Sequence, residues 1–226
     1  GMMGASDSFG RQHLSAAWES VFGRPPELWE IQPVQAVARL ESGYGRGSYK
    51  NAVTGESAVI NNWGATQCNH GPPCGDSCFE VTDHHADGSA YNWCYNRYDT
   101  PAQGAAAFLR IIKRIVDKKV GWDAALGARS TDTFVAAMKS GGYFEAPLQK
   151  YQDKVWNLAQ DIASTLGEQL AVGKGFSPFS PVPWEGAGPD GRPLSPSSPA
   201  SPCSGTRSTA GDGDPMNDPD TYPETD

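Results

Sequence analysis

One carboxylate is singled out by its position in the pattern. Ile31, Val34, Ala38 and Glu41 are spaced three, four and three residues apart and so share one face of a helix. Glu41 therefore sits where an apolar stripe meets a helix end, with Gly43 and Gly45 closing the helix behind it. Two effects push a carboxyl pKa upward at such a place: desolvation disfavours the anion, and the carboxyl end of a helix carries partial negative charge. A glutamic acid that keeps its proton near neutral pH can pass it to a leaving oxygen, which is what cleavage of a glycosidic bond requires. The plain alternative is a solvated, frayed helix end.

The residues around Glu41 add to this. Glu41-Ser42-Gly43-Tyr44-Gly45 is followed by Asn61-Asn62-Trp63-Gly64, then by Tyr95-Asn96-Arg97-Tyr98, then by Gly142-Tyr143 ahead of a final helix. In this order, over about residues 33–166, the four segments resemble the bacterial endo-β-N-acetylglucosaminidase and lytic transglycosylase families of the lysozyme superfamily. The resemblance implies that Glu41 is the catalytic acid and that Tyr143 approaches the scissile sugar. It also implies that Tyr44, Trp63 and Tyr98 build the groove wall, and that Asn61 and Gly64 shape its floor. Core packing is the alternative for all four aromatic residues. Glucosaminidases of this kind place a second Glu on a hairpin arm after Thr-x. Here His84 holds that place and Asp83 comes one residue early, which on a strand means the opposite face. Asp83 is the candidate second carboxylate if the hairpin bulges, with Glu80 and then Glu56 behind it. Without any of them a single-acid mechanism remains, because the substrate's own hydroxyl or N-acetyl group can attack.

Cys68, Cys74, Cys78 and Cys94 fall in one stretch with His70, His84 and His85, while Cys203 stands apart. The spacing lacks the two matched pairs of a structural zinc site, so two disulfides fit better than zinc or free thiols, with three pairings open. His84 and His85 read as an exposed strand pair.

Positioning these residues requires a mainly α framework. Helices are expected over residues 14–22, from about Pro33 to Glu41, over 101–119, over 131–139 and from about Leu148 to Leu166. The stripe Phe108, Ile111, Ile112, Ile115 and Val116 is the clearest. Residues 79–86 and 89–95 flank Asp87-Gly88 as a hairpin with a two-residue turn. The fold class is thus mainly α (α+β): a lysozyme-like helical domain, on the resemblance, with a small β-hairpin insertion. Residues 1–10 read as an N-terminal extension, 11–170 as the glycosidase body and 171–226 as a disordered acidic tail or linker. That tail holds 11 of the 18 prolines and a net charge of -5 out of -8, leaving the body at -3. With no basic stripe, phosphate-driven nucleic-acid binding is excluded, and no run of 18 apolar residues offers a membrane span.

The function expected is hydrolysis of β-1,4 bonds in peptidoglycan, first as an endo-β-N-acetylglucosaminidase, alternatively as a lytic transglycosylase or muramidase. A non-catalytic wall-binding or phage-tail structural module is the alternative from another class. Such sugar chemistry needs no metal or organic cofactor. The expected partners are peptidoglycan glycan strands and, through the tail, a phage or secretion machine. Action outside the cell or in the periplasm is expected; no secretory leader is visible, so phage or dedicated-secretion delivery fits.

Overall fold

The computed structural model describes residues 2–175, with side chains from residue 6. The expected acidic tail beyond residue 175, with Cys203, lies outside the described residues. The chain forms α1 (Met2–Phe22), α2 (Leu28–Ser42), β1 (Ser48–Lys50), β2 (Ser57–Val59), β3 (Cys78–His84), β4 (Ala90–Asn96), α3 (Pro101–Asp117), α4 (Trp122–Gly127), α5 (Thr131–Ser140) and α6 (Leu148–Leu166). The fold is mainly α, with two separate two-stranded antiparallel sheets, β1-β2 and β3-β4.

The helices start and stop for local reasons. Thr100 caps α3, its Oγ1 accepting from Gln103 N at 3.1 Å, and Pro101 takes the first turn, where no N–H is missed. Ser130 caps α5 in the same way, and Gly167 (φ 68°) ends α6 in the left-handed conformation. All five members of the α3 stripe are buried. With Trp18 of α1, Val34 and Val37 of α2, Phe134 of α5 and Tyr151, Val155 and Ile162 of α6, they form one core. Two smaller clusters serve the β region: Ile60, Phe79 and Tyr95, and the four cysteines.

Several boundaries differ from the sequence expectation. Helix α2 begins at Leu28 and carries Pro33 inside it, because Glu27 and Glu30 form a capping box with Glu in the place usually held by Ser or Thr. Residues 2–10 are the first turns of α1 and no extension: Asp7 is 1% exposed, and a Cβ on Gly10 would meet the Tyr44 ring at 2.6 Å. The body continues past residue 170, since Gly173 bridges Ser130 in parallel and Lys174 pairs with Asp132 at 3.1 Å and Asp153 at 3.0 Å. The short α4 and the β1-β2 pair, three residues per strand, were too brief to leave a periodic signal. The β3-β4 hairpin has the expected facing, Phe79 with Tyr95, Val81 with Trp93 and Asp83 with Tyr91. Its turn is a three-residue loop, Ala86 to Gly88: His85 N donates to Ser89 O at 2.8 Å, and Gly88 alone takes positive φ, at 88°. Asp87 reinforces it by accepting from Ser89 N (2.8 Å) and Oγ (2.6 Å), bonds that hold its carboxyl below the usual range.

The cysteines form two disulfides, Cys68–Cys78 and Cys74–Cys94, which fixes the pairing left open by the sequence. They tie the irregular stretch 66–77 to both arms of the hairpin. This region has few buried apolar side chains of its own, and cross-links take the place of a core.

Candidate active site

Glu41 lies in the last turn of α2, half-buried. The chain leaves the helix through three successive left-handed residues, Gly43 (φ 57°), Tyr44 (φ 65°) and Gly45 (φ 69°). Left-handed backbone is easy for glycine and costs about 1–3 kcal/mol for a residue such as tyrosine, so something must hold Tyr44 in place. Its hydroxyl donates to Asp7 Oδ1 at 2.6 Å and accepts from Gln35 Nε2 at 3.2 Å. Burial and then the Asp7 contact raise its pKa far above the phenol range, so it stays a neutral donor. Arg39 Nη1 reaches Asp7 Oδ2 at 3.2 Å, completing a buried network behind the helix end.

Directly in front lies the turn over residues 61–65, bounded by two more left-handed residues, Asn61 (φ 56°) and Ala65 (φ 52°). Of the four described non-glycine residues with positive φ, three thus flank this one place, the clustering of strain that functional sites show. The turn is held from several sides. Ser42 Oγ donates to Trp63 O at 2.6 Å and accepts from Gly45 N at 2.8 Å. Asn61 Nδ2 donates to Tyr98 O at 2.9 Å, and Tyr143 Oη donates to Gly64 O at 3.0 Å. Gly64 has to be glycine, as a Cβ would stand 2.6 Å from Tyr143 Oη. Gly104 of α3 has to be glycine too, because a Cβ would come within 1.9 Å of Asn61 O.

The decisive contact comes from α6. Tyr151, fully buried, donates its hydroxyl to Glu41 Oε1 at 2.5 Å. Burial, then the nearby charge of Glu41 and the neighbouring Tyr143, hold the Tyr151 hydroxyl well above its ordinary pKa. It therefore remains a donor throughout the working pH range. Its ring is fixed by Phe144, stacked at 3.8 Å between centroids, and Phe144 lies under Lys139 Nζ at 5.0 Å. The sequence placed Tyr151 on the apolar face of the last helix without assigning it a role. A hydroxyl on an otherwise apolar helix face needs a buried partner, and that was the available signal.

The expected residues fall into three groups. Glu41, Asn61, Gly64, Tyr98 and Tyr143 meet around the turn, but Tyr143, expected to approach the sugar, is 0% exposed and its hydroxyl is spent on Gly64 O, so it braces the turn from within. Tyr44 (1% exposed) and Trp63 (0%) pack in the core, so their rings hold the site's shape from within instead of facing outward as a groove wall. Asp83 sits in the β lobe and is equally enclosed, at 1% exposed. The hairpin has no bulge at Asp83, whose side chain turns toward Tyr95. Asp83 Oδ2 accepts from Tyr95 Oη at 2.8 Å, Gln67 Nε2 at 2.9 Å and Tyr91 Oη at 3.3 Å, and Oδ1 accepts from His84 N at 2.8 Å. Glu80 points to the opposite face and accepts from Asn92 Nδ2 at 3.2 Å, while Glu56 is exposed. His84 and His85 are exposed, His85 stacking on Tyr91 at 4.3 Å.

Chemically, the arrangement offers one half-accessible carboxyl whose Oε1 is occupied by a neutral donor. Comparison with protein-family models, with curated proteins and with solved structures finds no match to this chain.

Proposed function

We propose that the protein cleaves β-1,4 glycosidic bonds of peptidoglycan, with Glu41 as general acid. The observation that carries the reading is the Tyr151–Glu41 hydrogen bond at the end of α2, beside the clasped 61–65 turn. Glu41 passes its acid proton to the glycosidic oxygen while Oε1 accepts from Tyr151. As the proton leaves, negative charge grows on the carboxyl, and a bond from a fixed donor strengthens in step with it. Tyr151 thereby favours the transition state over the ground state.

Among peptidoglycan glycosidases, endo-β-N-acetylglucosaminidase remains the first reading from the sequence resemblance. The enclosure of Asp83 favours a single-acid route: its oxygens are taken by four donors, and an oxygen so satisfied is a poor base for an incoming water. In a single-acid route the attacking atom comes from the substrate, either an N-acetyl oxygen or, in a lytic transglycosylase, the sugar's own hydroxyl.

The test is clearing of purified cell wall by the native chain and by Glu41→Gln. The native chain is expected to clear it, and the variant to lose about 10²–10⁴-fold in rate while keeping its helical circular dichroism. Equal clearing by both, or none by either, would remove the mechanism. Mass spectrometry of the digest then separates the chemistries: reducing N-acetylglucosamine ends mark the glucosaminidase, anhydro-muramic ends the transglycosylase.

A further inference from the structure

The β lobe has a cavity that the site around Glu41 does not use. It measures about 640 Å³ and opens between residues 48–55 and the edge of β3 at Val81 and Thr82. The loop over residues 51–55 is closed on itself: Asn51 Oδ1 accepts from Val53 N at 2.8 Å and Thr54 N at 3.0 Å, and Gly55 N donates to Asn51 O at 2.9 Å. On that loop Val53 is 71% exposed, the most exposed large apolar side chain among the described residues. Lys50 is the one charged residue lining the cavity, and its stem runs beside Gly55, where a Cβ would sit 3.9 Å from Lys50 Cε. It is exposed and has no ion pair among the described residues. The wall made by β3 is an open sheet edge. Ala52 N donates to Glu80 O at 2.9 Å and Cys68 N to Cys94 O at 2.7 Å, so the Glu80–Cys94 pair turns its backbone groups away from each other. Antiparallel ladders alternate, and the next such pair is Thr82–Asn92. Thr82 therefore presents its backbone N–H and C=O at the cavity edge, two residues along from the bond with Ala52, and no described backbone group takes them. Such an edge is a template for a further peptide unit.

We propose that this cavity binds the short peptide stem that peptidoglycan carries on its muramic acid sugars. Thr82 pairs with one backbone amide unit of the stem, Lys50 with a stem carboxylate and Val53 with an alanine methyl. The inference rests on the glycosidase reading and adds the peptide half of the substrate to it. The distances suit one chain of substrate. A Cβ on Gly45 would stand 3.1 Å from Asn61 C, so Gly45 touches the 61–65 turn. Ser48, on the cavity wall, follows three residues later, at most about 11 Å away. A stem of about four residues extends about 13 Å, enough to join a sugar seated at Glu41 to the cavity. Because the loop is already closed on Asn51 and tied to β3 through Ala52, binding orders little of the protein. Chitin-like glycans carry neither peptide nor carboxylate, so the same cavity would favour peptide-bearing wall over chitin.

The test uses the full chain carrying Glu41→Gln, so that no probe is cleaved, and follows backbone amide shifts by nuclear magnetic resonance. Two probes are titrated: a disaccharide of N-acetylglucosamine and N-acetylmuramic acid bearing a tetrapeptide stem, and the same disaccharide without the peptide. The stem-bearing probe is expected to shift the amides of residues 50–55 and of Thr82, and to bind about fivefold more tightly than the bare sugar, the effect of one charge-assisted hydrogen bond. Lys50→Met should abolish that difference. Thr82→Pro removes the outward N–H and leaves the pairing with β4 intact, so it should weaken the stem-bearing probe and spare the bare one. Equal affinity for the two probes, or shifts confined to the 61–65 turn with both, would overturn the stem site and leave the glycosidase reading standing. Shifts at residues 50–55 with none at the turn would keep the stem site and count against the glycosidase reading, and no shifts at all would remove both. Lys50 is exposed, so its replacement still decides the matter if Thr82→Pro fails to fold.

Discussion

Glu41 and Tyr151 lie 110 residues apart in the chain and share one short hydrogen bond. Replacing Tyr151 by Phe keeps the ring stacked on Phe144 and removes only the donor. Because a donor to a carboxylate favours the charged form, its loss should raise the pKa of Glu41, moving the alkaline limb of the activity–pH profile to higher pH. The plateau rate should fall about tenfold, equivalent to about 1.4 kcal/mol, as the developing anion loses its partner. Kinetics across pH on Tyr151→Phe would check both; a lower rate with an unmoved limb would mean that Tyr151 is merely packing. At this scale the sequence was partly legible. Glu41 could be read because its neighbours at three- and four-residue steps are apolar. Tyr151 could not, because a tyrosine in an apolar stripe looks like any core aromatic until the opposite wall is known. Asp83 was read on the assumption of a bulge, which the continuous pairing of Cys78–His84 with Ala90–Asn96 removes.

Among the elements, α2 and α3 meet the turn over residues 61–65 while α6 reaches the end of α2 through Tyr151, and the close approach of α3 rests on one residue. Gly104→Ala would drive a methyl into Asn61 O, a backbone atom that cannot swing away. A loss of about 1–3 kcal/mol in unfolding free energy is expected, together with weakened wall clearing. Urea denaturation of the variant checks the first part. A second element-level contact joins α1 to the end of α6. Arg11 grips Glu168 through two bonds of 2.8 and 2.5 Å and also bonds Gln35 at 2.6 Å. Burial pushes the Glu168 carboxyl up, but Arg11 outweighs it and holds the pKa below the ordinary value. A depressed folded-state pKa contributes stability above the unfolded value, about 4.3, and loses it as pH falls through the folded value. Glu168→Gln should therefore lower the urea midpoint at neutral pH and make no difference once the pH lies below the folded-state value. Most helices were legible because their stripes are long and their caps are Ser, Thr or Gly. The start of α2 was hidden by a glutamate cap and an internal proline. The strands β1 and β2 are too short for alternation to show.

For the molecule as a whole, the helical body and the β region are stabilised by different means. The body buries a continuous apolar core, whereas the 66–97 insertion relies on the Ile60–Phe79–Tyr95 cluster and two disulfides. Closing loops of this size contributes about 3 kcal/mol each in the chain-entropy account. Cys74→Ser with Cys94→Ser should open the insertion to proteolysis and hydrogen exchange while the far-ultraviolet signal of the helices stays near native. Simultaneous loss of both signals would show one cooperative unit instead. The mainly α class was legible in the sequence. The first helix's early turns were not, since residues 2–10 contain only scattered apolar side chains and owe their order to contacts with Tyr44, Arg39 and Gln35.

Tyr44 also bears on how far this sequence can drift. Position 44 sets two demands that few amino acids meet together: a left-handed backbone, which suits glycine or asparagine, and a large ring with a hydroxyl for Asp7. A small residue relaxes the backbone but leaves a hole against Gly10 and a buried carboxylate short of a donor. Phenylalanine fills the space and still leaves Asp7 without that donor. The set of tolerated letters at this position is therefore close to one, although the residue touches no substrate in the proposed reaction. A route through sequence space that alters Tyr44 would have to change Asp7 and Gly10 along with it.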